Sequence, residues 1–331
     1  MRPYSKTNEP NMLIINENTI AELTNPVELT DVMEKAMKVY GAGDFVMPDR
    51  SHMDFNGNTL LSMPSSHGDF FSTKLVSLFP DNPKKGHPVL YGTVILNDGQ
   101  SGKPLALLNG AKLTAVRTAA VGSVGVRYIS PANASTLGII GAGVQGLHQA
   151  WFACKNRPIK SIYIFDAFTE LLKPLSEKLT KLIPDVEVRI AISKEELCDN
   201  SEIIITATNS TNHVLPNNSD SLLGKSIIAI GSYKPEMVEL PKALFPILDN
   251  YFIDVDMAIE ESGDLIHPIN NGWIEKEKIH ILSEAMNGKI KINPDNTNLY
   301  KSVGMALFDL FAAQFIFEKA KKTGKGELVD F

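Results

Sequence analysis

The chain has little of what marks metal, disulfide or membrane chemistry. Only two of its 331 residues are cysteine, Cys154 and Cys198, in separate contexts with no CxxC or CxxxxH spacing. They read as small core or surface residues in a reducing compartment rather than as a disulfide or thiolate metal site. Seven histidines are scattered, with no HxxxH pair on one helix, so no metal is expected. His67 in "SSHGDF" and His87 in "KGHP" read as polar residues flanking turns. No GxSxG or Cys-His-Asn pattern offers a covalent nucleophile. No apolar run approaches the roughly 18 residues of a membrane span. The polar opening "MRPYSKTNEPNM" contains two prolines and no secretory h-region. The formal charge of −6 comes from interspersed charges without a basic block, which argues against nucleic acid as a partner. A cytosolic protein is expected, with neither a membrane nor a nucleic-acid partner.

What is present is ordinary globular composition, 44% hydrophobic and 21% charged, in a length that suits about two domains. A strand-like "LII" precedes "NPVELTDVMEKAMKVYGAG", where Asn25 can cap a helix and Pro26 suits its first position. Leu29, Val32, Met33, Ala36 and Tyr40 share one face of that helix, and Gly41 can end it. Residues 59–63, 72–79 and 89–97 read as strands, followed by turn chemistry at Asp98-Gly99 and Ser101-Gly102. A helix is expected from about Lys112 to Tyr128, stopped by Pro131. From Ser135 the pattern changes to short apolar runs alternating with helices: "TLGII", "SIYIF", "VEVRI", "EIIIT", "SIIAI" and "YFIDV". That alternation predicts an α/β fold with a doubly wound parallel sheet behind an α+β front domain. The late helix "VGMALFDLFAAQFIFEKAKK" is apolar on most faces and can pack in either domain.

"TLGIIGAGVQG" is the stretch with the clearest chemistry. Gly141, Gly143 and Gly146 follow a strand and open a helix, so backbone N–H groups and the helix N-terminus can face a pyrophosphate. The next strand ends at Asp166, whose carboxylate can accept the adenosine ribose hydroxyls and would repel a 2′-phosphate. No arginine follows in "DAFTELLK", so NAD is favoured over NADP. Ligands of open α/β sheets lie beyond the carboxyl ends of the strands, and the front domain is expected to supply the opposite wall. Its candidates are Arg50 in "MPDRSH", Lys74 in "STKLVSLFPDNP" and Arg117 in "LTAVRTAA". Arg117 sits in a run nearly free of other charge, and a buried arginine needs an anion, such as a cofactor phosphate or substrate carboxylate.

"STKLVSLFPDNP", "NDGQSGKPLALLNGAKLTAVRTAA", "GIIGAGVQG", "GSYKPEMVEL" and "KSVGMALFD" occur in that order, and from about residue 45 to 315 the chain resembles the ornithine cyclodeaminase/mu-crystallin family. The resemblance implies an NAD(P)-dependent enzyme working at the α-carbon of amino or imino acids, and a homodimer built through the front domain. It also implies a C-terminal helix that returns to that domain. The front, substrate-binding and dimerisation domain would then be residues 1–127 with 305–331, and the Rossmann domain residues 128–304. Arg50, Lys74 and Val303 fall at substrate positions, and Arg117 at one shared between substrate and cofactor. Val144, Gln145, Asp166, Ser232 and Ser302 fall at cofactor positions, as do Thr206 and Thr208 at the end of the fourth Rossmann strand.

One departure bears on the reaction. Ornithine cyclodeaminases carry an acid/base aspartate in a "GxDxPGKxEL"-like loop, and here Tyr233 of "GSYKPEMVEL" stands at that position. A phenol, with reference pKa about 10, is a poor base near neutrality but a fair hydrogen-bond donor. Glu236 and Glu239 lie nearby as alternative carboxylates. Loops of the "GS[FY]xPxMxELP" type resemble those of reductases of cyclic ketimines such as Δ1-pyrroline-2-carboxylate. Lys74, Arg117 and Tyr233 are thus expected to carry a reduction that yields L-proline. Ornithine cyclodeamination, alanine or opine-type dehydrogenation and small-ligand binding of the mu-crystallin kind stand as alternatives. The stretch Glu260 to Leu265 reads as an acidic helix end and turn.

Overall fold

The structure is a computed structural model, and it describes residues 11–330. The front run comprises β1 (Asn11–Ile15), α1 (Glu17–Leu23), α2 (Pro26–Ala42), β2 (Ser51–Phe55), β3 (Asn58–His67), β4 (Phe70–Leu78), β5 (Leu90–Asp98), β6 (Pro104–Asn109) and α3 (Gly110–Ile129). Then follow β7 (Thr136–Ile140), α4 (Val144–Asn156), β8 (Ser161–Phe165), α5 (Leu172–Leu182), β9 (Glu187–Ile190), α6 (Lys194–Asp199), β10 (Ile203–Thr206) and β11 (Ser226–Ala229). The chain closes with β12 (Asn250–Ile253), α7 (Ala258–Glu261), α8 (Gly263–Asn270), β13 (Ile279–Ile281), α9 (Leu282–Met286), β14 (Asn298–Lys301), α10 (Ala306–Thr323) and β15 (Glu327–Asp330).

Two compact units result. The first holds residues 11–25, 43–117 and 305–330; the second holds residues 26–42 and 118–304. Their division falls inside α3, between Arg117 and Thr118, rather than at 127/128. Helix α2 groups with the second unit because its apolar face (Leu29, Met33, Ala36) is buried on α4 and α9. Arg127 Nη1 reinforces this by donating to Asp31 at 2.5 Å, and Tyr128 by donating to Glu34 at 2.7 Å.

In the first unit a seven-stranded sheet runs β15-β1-β6-β5-β4-β3-β2, antiparallel except where β1 lies parallel to β6. Period-2 alternation on β4 turns Ser72, Lys74 and Val76 inward, and α10 packs over β3, β4 and β5. The late apolar helix therefore returns to the front sheet, burying Leu307, Phe308, Leu310 and Phe311.

The second unit is an eight-stranded, wholly parallel sheet in the order β13-β12-β14-β11-β10-β7-β8-β9, the doubly wound arrangement expected from the alternation. It holds two strands beyond the six apolar runs: β14 inserts between β11 and β12, and β13 forms an edge. "VEVRI" supplies β9, the opposite edge of the sheet, and is mostly exposed. Among the described residues no helix is long and apolar enough to cross a membrane.

Candidate active site

In the second unit, β7 delivers the chain into the glycine turn at the carboxyl edge of the sheet, and α4 begins at Val144. Gly141 has φ +113°, and a Cβ there would lie 2.5 Å from the carbonyl oxygen of Ala207, so the turn passes close under the end of β10. A Cβ on Gly146 would collide with the carbonyl oxygen of Gly141, which is how α4 can start so close to its own turn. Gly143 differs. It is the N-cap of α4, no side chain caps that end, and a Cβ there would meet nothing within 4 Å. Open space in front of an uncapped helix N-terminus fits a pyrophosphate. Gln145 adds a buried side-chain Oε1 with no hydrogen-bond partner among the described residues, and Val144 is 64% exposed at the same edge.

Asp166, one residue past β8, accepts from the N–H of Ala142 at 2.6 Å and from the N–H of Phe168 at 2.8 Å. Each carboxylate oxygen keeps a lone pair for a ribose hydroxyl, and the carboxylate is tied to the glycine turn itself. The donor set therefore fits a dinucleotide with an unphosphorylated ribose.

The hydroxyls expected to line the cofactor are spent inside the protein. Thr206 is fully buried and donates to Glu239 Oε2 at 2.8 Å. Ser232 donates to the carbonyl of Met237 at 2.6 Å and pairs with the Ser262 hydroxyl at 2.7 Å. Ser302 donates to Asp254 Oδ2 at 2.6 Å, and that carboxylate also accepts the N–H groups of Val303 and Gly304. These three residues fix the loops at the strand ends instead of offering free donors. Thr208 is partly exposed, yet its hydroxyl and N–H both donate to Glu239 Oε1, at 2.8 and 2.7 Å.

Glu239 also accepts the N–H of Gly231 at 2.9 Å and is fully buried, so it holds strand ends together and does not replace the missing loop aspartate. Burial raises its carboxyl above the ordinary range, with Lys301 pulling the other way. Asp264, in the stretch read as an acidic helix end, is itself buried and accepts the N–H groups of Glu239 and Leu240 at 2.7 and 3.0 Å. Its other oxygen lies 3.5 Å from the ammonium of Lys301, which is also fully buried. Tyr233, on the loop so anchored, is 43% exposed.

In the first unit, β4 turns Lys74 inward and α3 presents Arg117, both nearly buried. Between them stands Asp309, on the first turn of α10 and fully buried. Lys74 Nζ lies 2.6 Å from Asp309 Oδ2, and Arg117 Nε donates to Asp309 Oδ1 at 2.9 Å. The anion required by the buried Arg117 is thus supplied by the chain itself, through Nε alone. Burial depresses the Lys74 ammonium to about 8; Asp309 opposes this, while the charges of Arg117 and Arg50 add to it. Burial works against the Asp309 charge, but Arg117 and Lys74 together hold it below the usual carboxylate range. Arg50, in the segment before β2, is half-buried. Two buried cations therefore share the one carboxylate of Asp309, and the charge of Arg50 is felt at Lys74.

Residues 10–324 match the ornithine cyclodeaminase/mu-crystallin family. The chain belongs to that family. A Δ1-pyrroline-2-carboxylate reductase of Bacillus cereus is 32% identical over 330 residues, covering 97% of this chain and 100% of the relative. The ketimine reductase mu-crystallin of Macropus fuliginosus is 27% identical, covering 88% of this chain and 91% of the relative. Among solved structures, the Thermococcus litoralis Δ1-pyrroline-2-carboxylate reductase in complex with NADH and L-proline superposes with a TM-score of 0.89. It is 30% identical and covers 96% of this chain and 100% of its own.

Within this family frame the structure brings Lys74 and Arg117 together around Asp309, and gathers Gly141, Gly143, Gln145, Gly146 and Asp166 at the other unit's strand ends. Sequence reasoning passed over Asp309, although a signal was present: it is the sole charge between Lys301 and Glu318. It also passed over Asp254, Asp264 and Lys301, whose partners become apparent only in the folded sheet.

Proposed function

We propose that this chain is an NADH-dependent reductase of cyclic ketimines of the Δ1-pyrroline-2-carboxylate class, with L-proline as product. The observation that carries the reading is the buried Lys74–Asp309–Arg117 cluster, in a chain alike over its full length to Δ1-pyrroline-2-carboxylate reductases. NAD(H), when bound, supplies and accepts the hydride. The glycine turn and the N-terminus of α4 would hold its pyrophosphate, and Asp166 would hold its adenosine ribose and disfavour a 2′-phosphate. Arg50 and Arg117 hold the substrate carboxylate by charge-assisted hydrogen bonds.

Lys74 donates to the imine nitrogen, and an ammonium depressed to about 8 is an acid able to give up one proton near neutrality. Reduction of a preformed C=N bond needs one hydride and one proton, and Lys74 supplies the proton. Tyr233 brings a phenol donor in place of the loop aspartate, and no loop carboxylate is needed because no ammonia is expelled. The test is anaerobic incubation with NADH or NADPH and a panel of 2-oxo acids, amines and cyclic ketimines, beside L-ornithine with catalytic NAD. Fast NADH consumption with Δ1-pyrroline-2-carboxylate and little ammonia from ornithine is expected. Efficient ammonia release from ornithine would establish the lyase in its place.

A homodimer through the first unit belongs to the same proposal. Met53, Phe55, Leu75 and Tyr91 are exposed, and cross-strand register puts them on the sheet face opposite Lys74. Exposed apolar side chains gathered on one sheet face suit a subunit contact. A cytosolic setting completes the reading, with Cys154 and Cys198 as free thiols and NADH as the reductant.

A further inference from the structure

We infer that Asp309 is a positioning residue for ketimine reduction, fixing Lys74 and Arg117 relative to each other and keeping Lys74 protonated without touching the substrate itself. The inference rests on the proposed reduction for its catalytic meaning and on geometry for its substance. Asp309 lies among buried Phe308, Leu310 and Phe311, surroundings in which an uncompensated carboxylate is costly. Each oxygen takes one cation, Oδ2 the ammonium of Lys74 at 2.6 Å and Oδ1 the Nε of Arg117 at 2.9 Å. One rigid carboxylate on a packed helix thus sets the spacing of two cations that come from different elements, β4 and α3. Arg117 engages Asp309 through Nε, and a guanidinium carries four further N–H donors beyond that one. Lys74 meets Asp309 as a close ion pair.

The charges around Lys74 give Asp309 its second role. Arg117 on α3 and Arg50 before β2 both oppose a proton on Lys74, as does burial, and Asp309 on α10 is the charge that favours it. Without Asp309 every influence on the ammonium acts in one direction. The acid would then be neutral at a pH where the wild-type acid is charged.

The test is Asp309→Asn in the full-length enzyme, with kcat/KM for Δ1-pyrroline-2-carboxylate and NADH measured from neutral to alkaline pH. Because kcat/KM reports the free enzyme, the wild type should lose activity as pH rises through about 8. In the variant that limb should move to lower pH by about one unit or more, a loss of about tenfold above both limbs. A limb at the wild-type position would overturn the inference, since a purely structural role lowers activity without moving the limb. Lysine-selective NMR of the two proteins, with Lys74 assigned by substitution, reads the same midpoint without turnover. An unmoved Lys74 midpoint overturns the inference even if the natural substrate is another, so the two failures are distinguishable. Should Asp309→Asn not fold, Asp309→Glu retains the charge but displaces it. A KM raised by about tenfold with the limb kept would support positioning, and an unchanged KM would refute it.

Discussion

Gly143 and Gly146 stand three residues apart in one turn, and the structure assigns them opposite consequences on gaining a methyl group. At Gly143 the backbone has φ −82° and ψ −167°, which alanine adopts freely, and the added Cβ meets nothing within 4 Å. Alanine is a poorer N-cap than glycine by some tenths of a kcal/mol, while its stiffer unfolded chain returns about 0.4–1 kcal/mol. The net effect on folding is close to zero. The methyl group does occupy the space in front of α4 where a pyrophosphate would lie, so NADH affinity should fall by at least about tenfold, or about 1.4 kcal/mol. At Gly146 the methyl group strikes a backbone carbonyl that cannot rotate away. Overpacking of that kind costs about 1–3 kcal/mol, and in a unit of this size each kcal/mol lowers the unfolding midpoint by about 2–4 °C. Scanning fluorimetry and NADH fluorescence titration on Gly143→Ala and Gly146→Ala separate the two. A Gly143→Ala protein that binds NADH as the wild type does, or that melts as early as Gly146→Ala, would refute this account of the turn.

Three further outcomes are expected. Asp166→Ser removes the carboxylate that accepts from Ala142 and Phe168, and should narrow or reverse the preference for NADH over NADPH in kcat/KM; an unchanged ratio would place selectivity elsewhere. Lys74→Ala removes a charge-assisted hydrogen bond of roughly 1.5–3 kcal/mol, so kcat/KM for the ketimine should drop about ten- to a hundred-fold with NADH affinity little changed. Sedimentation at micromolar concentration should give about twice the 36.3 kDa chain mass, and Leu75→Arg on the exposed sheet face should shift it toward the monomer; a wild-type monomer would remove the dimer.

The glycine turn was legible because its signals are local: strand, turn, helix start and Asp166 all fall within one β-α-β stretch. The parallel strands with long apolar runs were legible for the same reason. β14 was not, since "NLYK" buries Asn298 and Lys301 in the middle of the sheet and leaves only two apolar residues to signal a strand. β13 is three residues long, and α1 is too short for its periodicity to stand out. Lys74 and Arg117 could be picked out as cations in apolar runs, but the partner that orders them could not. Asp309 lies 192 residues beyond Arg117, and only the return of α10 to the front sheet joins them. Thr206, Ser232 and Ser302 show the converse limit. A hydroxyl at a strand end is visible in the sequence, whereas its capture by Glu239, Met237 or Asp254 depends on how four loops converge.

The central claim, hydride delivery to the α-carbon of a preformed cyclic ketimine, is tested most directly by the fate of deuterium from NADH labelled at nicotinamide C4. Incubated with Δ1-pyrroline-2-carboxylate, the enzyme should yield L-proline carrying deuterium at Cα from one of the two labelled faces, with one NADH consumed per proline formed. Unlabelled proline, or proline and ammonia formed from ornithine with no net consumption of NADH, would contradict the claim.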